Sequence, residues 1–417
     1  MRATAAFSHL RRLEGIHVRA AAVVADTVVV TVTLRPRRLR CPASAFATRT
    51  RYDTRPVLWT WHHLELGVWR LKLRAGLRRL DCPTHGVRTE AVPFARPGSR
   101  HTRDLEDLVG YLATAMDRTA IGRLLRLDWD TVGRICTRVM ADRLDPRRLE
   151  GLLTIGVDEV SWRRRPHYLT LLSHHRRGRI VWGQPGKDAA TRDTFFDELG
   201  ADRAAQLTAV SMDMSPAFET SARAPGHATN AVICYDPIHV VALGTQALDT
   251  VRRQVWQEMR GLDADAAHRF RGARWCLLKN PENLNDDQAV TLCRLRRRGG
   301  ALWRAYGLKE ALRAIFAGDL DVDAVADLLD RFCAKAQRSG PRSFVTVAKT
   351  IRRRRADILA AIRLGITNAQ HEGVNRRVRL IINRAYGFHS AKAALALVVL
   401  TVGPITHVLP HERAANP

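Results

Sequence analysis

Two aspartates lie where apolar strands are predicted to end. Asp158 falls near the end of LLTIGVDEV, and Asp213 follows AVSM just before a predicted helix. A buried carboxylate costs free energy unless it is paired, and ligand sites in open α/β sheets lie at the carboxyl ends of strands. If the two strands are neighbours, the pair forms an oxygen-rich site suited to a hard divalent cation. A single aspartate of this kind is more often a turn or capping residue, so the hypothesis depends on the pair.

A third acidic residue, Glu372, lies in NAQHEGVNRRVRLIINRAYGF, where apolar residues recur at helical spacing. Arg376 and Arg379 follow it by four and seven residues on the same helix face, where they could flank a nucleic-acid backbone. The alternative is an ordinary ion pair between Glu372 and Arg376. The opposite, apolar face comprises Val374, Val378 and Ile381.

The elements around the two aspartates alternate between strand and helix. Three consecutive strands are predicted within 152–184, followed by a helix, the strand before Asp213, another helix and the strand AVICY at 231–235. This order predicts a mixed α/β sheet with helices packed on it. From 245 to 365 the pattern is helical throughout, and helical patterns continue to about residue 402. Residues 1–100 are predicted to be β-rich, with one or two strands in VRAAAVVADTVVVTVTL and a hairpin in WTWHHLELGVWRLKLRAGLRRLDCP.

Residues 117–140, DRTAIGRLLRLDWDTVGRICTRVM, fit a helix-turn-helix. Gly122 falls at its small-residue position, and Asp128 or Asp130 can cap the second helix. Arg126 departs from the pattern, because the tight turn often has glycine there. A generic helical hairpin is the alternative. The second helix would offer three side chains to a DNA major groove: Thr131, Arg134 and Arg138.

The charge distribution indicates a polyanionic partner. The chain has 68 Lys+Arg against 41 Asp+Glu, a net charge of +27. The excess is concentrated in residues 1–100, with 19 basic and 6 acidic residues, and in 338–392, with 13 and 2. Two basic blocks around a neutral middle suggest that a polyanion is held at two places. We expect no secretory leader, because the first residues lack its apolar region and cleavage site. The sequence has no apolar run of the ~18 residues that a membrane span needs and no disulfide pattern among its seven cysteines. We therefore expect a cytoplasmic protein.

Five motifs, in this order, make the chain resemble the ISL-three family of bacterial insertion-sequence transposases: GVDEVSWR…YLTL, PGKDAAT…FFDELG, VSMDMSPAF, CYDPIHV and NAQHEGVN…RAYGF. The resemblance runs from Cys82 to Phe388. It implies an RNase H-like catalytic core with an all-α insertion, preceded by a small β-rich, zinc-ribbon-like module and a helix-turn-helix. The expected segments are a DNA-binding module at 1–100, the helix-turn-helix at 101–150, the core at 151–244, the insertion at 245–365, and the second part of the core at 366–417.

The resemblance also implies the site residues. Asp158, Asp213 and Glu372 would form a DDE triad that holds two Mg²⁺ or Mn²⁺ ions ~3.5–4 Å apart, the arrangement that two-metal phosphoryl transfer needs. Glu159 should point to the opposite face of its strand. A D-x-x-H element of the family matches Asp236 and His239, which would contact the metal ligands or the cleaved strand.

A zinc module is implied at the N-terminus, where relatives have two cysteine-containing pairs. The second pair is present here as Cys82 and His85, whereas the first reads Cys41-Pro-Ala-Ser44, with serine in place of its second cysteine. Structural zinc is normally four-coordinate. Three ligands therefore remain, and either His62 or His63 substitutes or the site is weak or empty.

The expected function is that of a DNA transposase that binds the terminal inverted repeats of its insertion sequence, cleaves them and joins them to target DNA. Its partners would be double-stranded DNA and at least a second copy of the chain on that DNA, in the bacterial cytoplasm at the nucleoid, with no membrane. Two alternatives remain: a catalytically decayed or repurposed DNA-binding protein, and an RNase H-like structure-selective nuclease.

Overall fold

The structure, a computed structural model, describes residues 15–163, 167–214, 216–318, 320–366, 369–385 and 387–415. Two compact units are present. The first comprises Met1–Arg148, Trp162–His167 and Arg377–Pro417, and the second comprises Leu149–Ser161 and Tyr168–Arg376. The first unit is therefore discontinuous in sequence. The division into five segments stays a prediction, although the contacts group 377–417 with the N-terminal residues rather than with the sheet of the second unit.

The β-rich character predicted for the N-terminal residues is confirmed. In the main sheet, of order β1-β2-β7-β6, the alternating valines of the second strand are buried against Trp61 and Leu71. Cross-strand packing of β-branched residues favours this arrangement. Smaller sheets pair β3 with β4, and β8 with β5 and β9. The strands are β1 Ile16–Val24, β2 Thr27–Leu34, β3 Leu39–Arg40, β4 Ala47–Thr48, β5 Asp53–Thr54, β6 Trp59–Leu66, β7 Trp69–Ala75, β8 Arg78–Cys82 and β9 Gly86–Thr89.

Three short helices follow: α1 Arg103–Ala113, α2 Arg118–Leu125 and α3 Trp129–Arg143. Each begins at a capping side chain that accepts a backbone N–H, and the cap of α3 is Asp128 rather than Asp130. Between α2 and α3, Arg126 takes the left-handed conformation, with φ +51°, that glycine adopts most easily. Its guanidinium donates to the Val68 carbonyl at 3.0 Å, so this side chain joins the turn to the β6–β7 hairpin.

Gly122 is required by the close approach of the turn. A Cβ at this position would lie 2.6 Å from the Leu127 carbonyl oxygen, whereas a Cβ at the exposed helical Gly307 would meet nothing within 4 Å. We expect Gly122→Ala to lower the free energy of unfolding by about 1–3 kcal/mol, because the backbone must move. Gly307→Ala should raise it by about 0.5–1 kcal/mol. Urea denaturation of both variants checks the opposite signs; equal changes would contradict this role of Gly122.

The second unit contains the predicted mixed α/β sheet, which is confirmed. Its strand order is β12-β11-β10-β13-β14, so the first strand of the sheet lies at its centre. β10 pairs in parallel with β13, β13 pairs in parallel with β14, and β11 pairs antiparallel with β12. The elements are β10 Thr154–Arg163, β11 His167–His174, a 3₁₀ turn His175–Arg177, β12 Arg179–Pro185, α4 Ala189–Leu199, α5 Ala201–Ala204, β13 Ala209–Met212, α6 Pro216–Ala222 and β14 Val232–Tyr235.

The long helical stretch is also confirmed, and its described residues between 245 and 365 form no strand. The Gly299-Gly300 and Ser339–Pro341 breaks separate successive helices as expected. One apolar core extends from the sheet into these helices, from Phe195 to Leu312 and Phe344. The helices are α7 Pro237–Leu262, α8 Ala264–Phe270, α9 Ala273–Leu278, α10 Asp286–Arg298, α11 Gly300–Ile315, α12 Val322–Arg338, α13 Arg342–Arg353 and α14 Arg355–Arg363, with a 3₁₀ turn at Pro281–Asn283.

Three more helices complete the chain: α15 Ala369–Arg384, α16 Ala391–Val402 and α17 Pro410–Ala415. α16 is apolar on nearly all sides, as expected for a helix buried within a core, and it packs against α1 and α3 in the first unit. Arg384 donates to the carbonyls of Ala113 and Thr114 at the end of α1, both at 3.0 Å. No helix in the described ranges has the length and apolar character needed to cross a membrane.

Candidate active site and nucleic-acid interface

Three aspartates follow one another across the carboxyl edge of the parallel strands. Gly156 pairs with Ser211, and Ser211 with Cys234. The last paired positions are Gly156–Ser211 and Met212–Tyr235, so Asp158, Asp213 and Asp236 lie one or two residues beyond the paired positions of three neighbouring strands. Asp213 directly follows β13, as predicted. β10 continues through Asp158 to Arg163, so the prediction that this strand ends near Asp158 is wrong. Among the described residues, the three carboxylates are not brought together as a metal-binding group.

Asp158 is half-buried, and both of its carboxylate oxygens accept hydrogen bonds. Oδ1 accepts the backbone N–H of Glu159 at 2.7 Å, and Oδ2 accepts the side-chain amide of Asn375. Asn375 is 8% exposed and lies on α15. Since 217 positions separate the two residues, this bond joins a late helix to the central strand of the sheet.

Glu159, the next residue on β10, has a different partner. Its carboxylate pairs with the Arg192 guanidinium of α4, which is almost completely buried and packs over the Phe218 ring. Burial raises the pKa of the Glu159 carboxyl against the opposing effect of Arg192, and the negative charge of nearby Asp213 raises that pKa further. Glu159 is thus neutralised by a cation, in keeping with the expectation that it does not bind metal.

Asp236 is 2% exposed and serves as a helix cap. Its Oδ1 accepts the Ile238 N–H at 3.0 Å, and Pro237 begins α7. His239 is half-buried in the first turn of the same helix, with its N–H on the Asp236 carbonyl. A structural role for Asp236 is therefore established, and contacts of Asp236 and His239 with a substrate stay predictions.

Glu372 lies on α15, as expected, but its side chain is outside the part of the chain that the structure describes. The apolar face predicted for this helix is confirmed, because Val374, Val378 and Ile381 are buried. Arg376 and Arg379 are both exposed. Their predicted DNA contacts and the metal-binding role of Glu372 stay predictions.

On α3, the three residues predicted to contact DNA have different environments. Arg134 has 68% of its side chain exposed, and it donates to the Thr131 hydroxyl at 2.8 Å. Thr131 is 7% exposed and donates its own hydroxyl to Asp128. Arg138 donates through Nε and Nη2, at 2.8 and 2.6 Å, to a carboxylate oxygen of fully buried Glu106. Arg134 is thus the member of this set that is most available to a ligand.

The RAYGF motif packs against the start of α3. The Arg118 guanidinium lies over the rings of Trp129 and Phe388, 4.7 and 5.7 Å from their centroids, and His389 contacts the Trp129 ring edge-on. Cation–π contacts of this kind are favourable where the cation is withdrawn from water, and burial lowers the pKa of Arg118. The motif therefore has a structural role in the first unit.

The predicted zinc ligands Cys41, Cys82 and His85 come together. Their ligand atoms all lie within 4.8 Å of one another, with His85 Nδ1 3.7 Å from Cys41 Sγ and 3.5 Å from Cys82 Sγ. Burial raises the pKa of the Cys82 thiol, but hydrogen bonds from His85, the Thr84 backbone and Ser44 together lower it to about 6. Thiolate and imidazole are the donors that zinc prefers, so the residues present fit this metal.

Ser44, His62 and His63, the residues considered as a fourth zinc ligand, differ in their distance from the other three ligands. Ser44 Oγ lies 3.7 Å from Cys82 Sγ, beside the other three donors. His62 bonds to Glu65 at 3.0 Å, and buried His63 bonds to the Thr102 hydroxyl at 2.8 Å. Neither belongs to the Cys/His group, which among the described residues contains three members. The prediction that His62 or His63 replaces the missing zinc ligand is therefore wrong for this structure, because both rings are hydrogen-bonded to other residues.

A cationic face lies on the N-terminal module, defined here by Arg55 and Arg100 beside Trp59 and by Arg79, which lines a cavity with Arg55. The guanidinium carbons of Arg55 and Arg100 are 5.1 and 4.1 Å from the Trp59 ring centroid. Arg79 pairs with Asp53, whose carboxyl pKa this bond lowers, leaving an excess of positive charge. A cavity of about 400 Å³ opens beside it, lined by Arg55, Pro56, Arg79, Val87, Arg88 and Thr89. Sequence reasoning missed this face, since only the local excess of arginine indicates it.

Comparison with known proteins gives the following similarities. A family model described as "Transposase" matches residues 155–397, and one described as "Helix-turn-helix domain of transposase family ISL3" matches residues 90–140. The transposase for insertion sequence element IS1557 of Mycobacterium tuberculosis is 38% identical over 412 residues, covering 92% of this chain and 91% of that protein. The transposase for insertion sequence element IS1001 of Bordetella parapertussis is 29% identical over 330 residues, covering 78% and 80%.

Proposed function

Because the chain belongs to the ISL3 family of transposases, we propose that it binds the terminal inverted repeats of an insertion sequence and catalyses metal-dependent cleavage and strand transfer there. The observation that carries the proposal is that Asp158 and Asp213 each lie two residues beyond the last paired position of the neighbouring parallel strands β10 and β13. Two carboxylates on neighbouring strands suit a hard cation. The strand order, with β10 central, supports an RNase H-like core.

Asp158, Asp213 and Glu372 would hold the divalent ions, Mg²⁺ or Mn²⁺. Such ions, when bound, activate an attacking oxygen and stabilise the leaving oxygen of a phosphodiester. The sheet positions the first two carboxylates, one within β10 and one just after β13, while the exposed Arg376 and Arg379 hold the DNA backbone near the helix of Glu372. Water attacks first and frees a 3′-hydroxyl, and that hydroxyl then attacks target DNA in the same site.

Recognition of the ends would fall to the first unit. Arg134 is suited to a base edge in the major groove, because it projects from α3 and is exposed. The cationic face around Trp59 is suited to phosphates. Zinc at Cys41, Cys82 and His85 would hold β3 against the β8–β9 hairpin. At least two copies would assemble on paired ends, in the cytoplasm at the nucleoid.

The direct test is an assay on the inverted repeats that flank the gene. Purified protein with Mg²⁺ and a duplex carrying such a repeat should release a 3′-hydroxyl at the element boundary and join it to a plasmid. Binding without cleavage would indicate a decayed DNA-binding protein. Cleavage that ignores the repeat and yields no joined product would indicate a nuclease. Either outcome would overturn the proposal.

Removing a base contact and removing a phosphate contact should weaken DNA binding in different ways. Arg134→Ala should reduce the preference for the correct end over random DNA by about 1–3 kcal/mol, the value of a good base contact. Arg55→Gln should weaken both DNAs alike and reduce the slope of log affinity against log salt by about 0.9, the value for one lost phosphate contact. Fluorescence anisotropy at several salt concentrations measures both quantities.

Arg19→Gln is the matched control for the charge change. Arg19 is exposed on β1 and bonds to Thr33, outside the cationic face. Arg19→Gln should leave the slope of log affinity against log salt unchanged. If Arg55→Gln behaves like Arg19→Gln, the cationic face does not contact phosphate; if Arg134→Ala weakens both DNAs equally, Arg134 does not read bases.

A further inference from the structure

We propose that Asn375 is a positioning residue for the metal site, which orients the Asp158 carboxylate and holds α15 at the carboxyl edge of the sheet. The inference rests on the proposed function of that site. It starts from the buried hydrogen bond in which the Asn375 amide donates to Asp158 Oδ2.

The chemistry of the donor is the first argument. An ionised carboxylate only accepts hydrogen bonds, and the amide nitrogen only donates, so the bond fixes the orientation of Asp158 in its charged form. A neutral donor does this without cancelling the negative charge that a cation requires. Both hydrogen bonds described for the Asp158 oxygens, from Asn375 and from the Glu159 backbone, come from neutral groups.

The neighbouring carboxylate provides an internal comparison. Glu159 lies next to Asp158 on the same strand, but it faces a buried guanidinium, that of Arg192. A cation in that position occupies the place of a metal ion and compensates the charge. The bond from α15 to Asp158 thus comes from an amide, whereas the partner of Glu159 is a guanidinium.

The position of Asn375 on α15 is the second argument. It lies three residues after Glu372, so the two positions are about one helical turn apart. A bond from this turn to β10 sets the distance at which the backbone of Glu372 passes the sheet edge. The same amide therefore determines both the orientation of Asp158 and the approach of the helix that carries the third proposed ligand.

The test is Mn²⁺ binding to the full chain without DNA, followed through the EPR signal of free Mn²⁺. Asn375→Ala should weaken the affinity by about tenfold, the lower end of the range found when partners of metal ligands are removed. Asn383→Ala, an exposed asparagine on the same helix, is the control and should bind as the wild type does. Wild-type affinity in folded Asn375→Ala would overturn the inference.

A second variant separates positioning from packing. Asn375→Asp puts a carboxylate against Asp158, so without metal the like charges should lower the melting temperature. Mn²⁺ should then raise the melting temperature more in this variant than in the wild type, because a cation relieves the repulsion. A purely structural role predicts equal metal-induced shifts in both proteins, and that result would also overturn the inference.

Asp158→Asn distinguishes this inference from the proposed function. If Asp158→Asn binds Mn²⁺ with wild-type affinity, the metal site itself is wrongly assigned. If Asp158→Asn loses binding while Asn375→Ala keeps it, the metal site stands and only the role of Asn375 is wrong.

Discussion

End cleavage should fall by at least about 10³-fold when Asp158 or Asp213 is replaced by asparagine, and binding of end DNA should stay within about twofold. An asparagine keeps the size of the side chain but removes the charge that holds a divalent ion. The ions contribute several kcal/mol of transition-state stabilisation, and each 1.36 kcal/mol is tenfold in rate. Cleavage is measured on labelled end duplexes at saturating protein, so that weaker binding cannot imitate the loss.

Glu372→Gln should have the same effect, since it tests the third member of the proposed triad. Asp202→Asn is the matched control, because Asp202 is an exposed aspartate on α5 in the same unit. The Asp202→Asn variant should cleave end DNA at the wild-type rate. Variants that lose DNA binding but cleave at the normal rate once bound would show that these carboxylates serve the fold or the DNA contact, and not the reaction.

Zinc retention should increase by about 100-fold in Ser44→Cys. The serine hydroxyl lies beside Cys82 but is a poor zinc ligand at neutral pH, because it keeps its proton far more firmly than a thiol does. Binding of zinc by four-ligand sites totals about 10–16 kcal/mol, or ~3 kcal/mol for each ligand. Competition with a chromogenic chelator measures the change in affinity, and elemental analysis gives the stoichiometry.

Three further variants serve as comparisons for Ser44→Cys. Cys82→Ser should reduce zinc retention, because it removes a thiolate ligand. His62→Ala and His63→Ala should not, since the His62 ring bonds to Glu65 and the His63 ring to Thr102. Tight stoichiometric zinc in the unmodified chain, unchanged by Ser44→Cys, would show that a ligand other than Ser44 already completes the site.

Local patterns in the sequence predicted the elements well, and the strand end before Asp213 could be identified because a buried β-strand and the helix after it each have a recognisable pattern within about ten residues. The end predicted near Asp158 is wrong, because β10 continues to Arg163. The helix breaks at Gly299-Gly300 and at Pro341 are equally local. Cys41, Cys82 and His85 could be grouped through the resemblance, although nothing in their spacing excluded His62 or His63.

Partners that are distant in sequence could not be predicted. Asn375 stands in the NAQHEGVN motif, but only the tertiary structure joins it to Asp158. Arg138 has the spacing of a DNA-contacting residue, yet its guanidinium faces the buried Glu106 of α1, a residue of ordinary helical pattern. A single-sequence pattern contains the periodicity of each element, but not which element faces which.

The discontinuous first unit has a consequence for synthesis on the ribosome. Chains emerge from the N-terminus and domains fold as their residues become available, but here the helices α1 and α3 are covered by α16, which ends at Val402. Glu372 also comes from the last part of the chain. A nascent or truncated polypeptide that stops before Ala391 therefore lacks part of the core around the helix-turn-helix. On the proposed function, we expect neither DNA recognition nor chemistry before the residues up to Val402 have been made, and a product that ends before Ala391 should compete poorly for DNA.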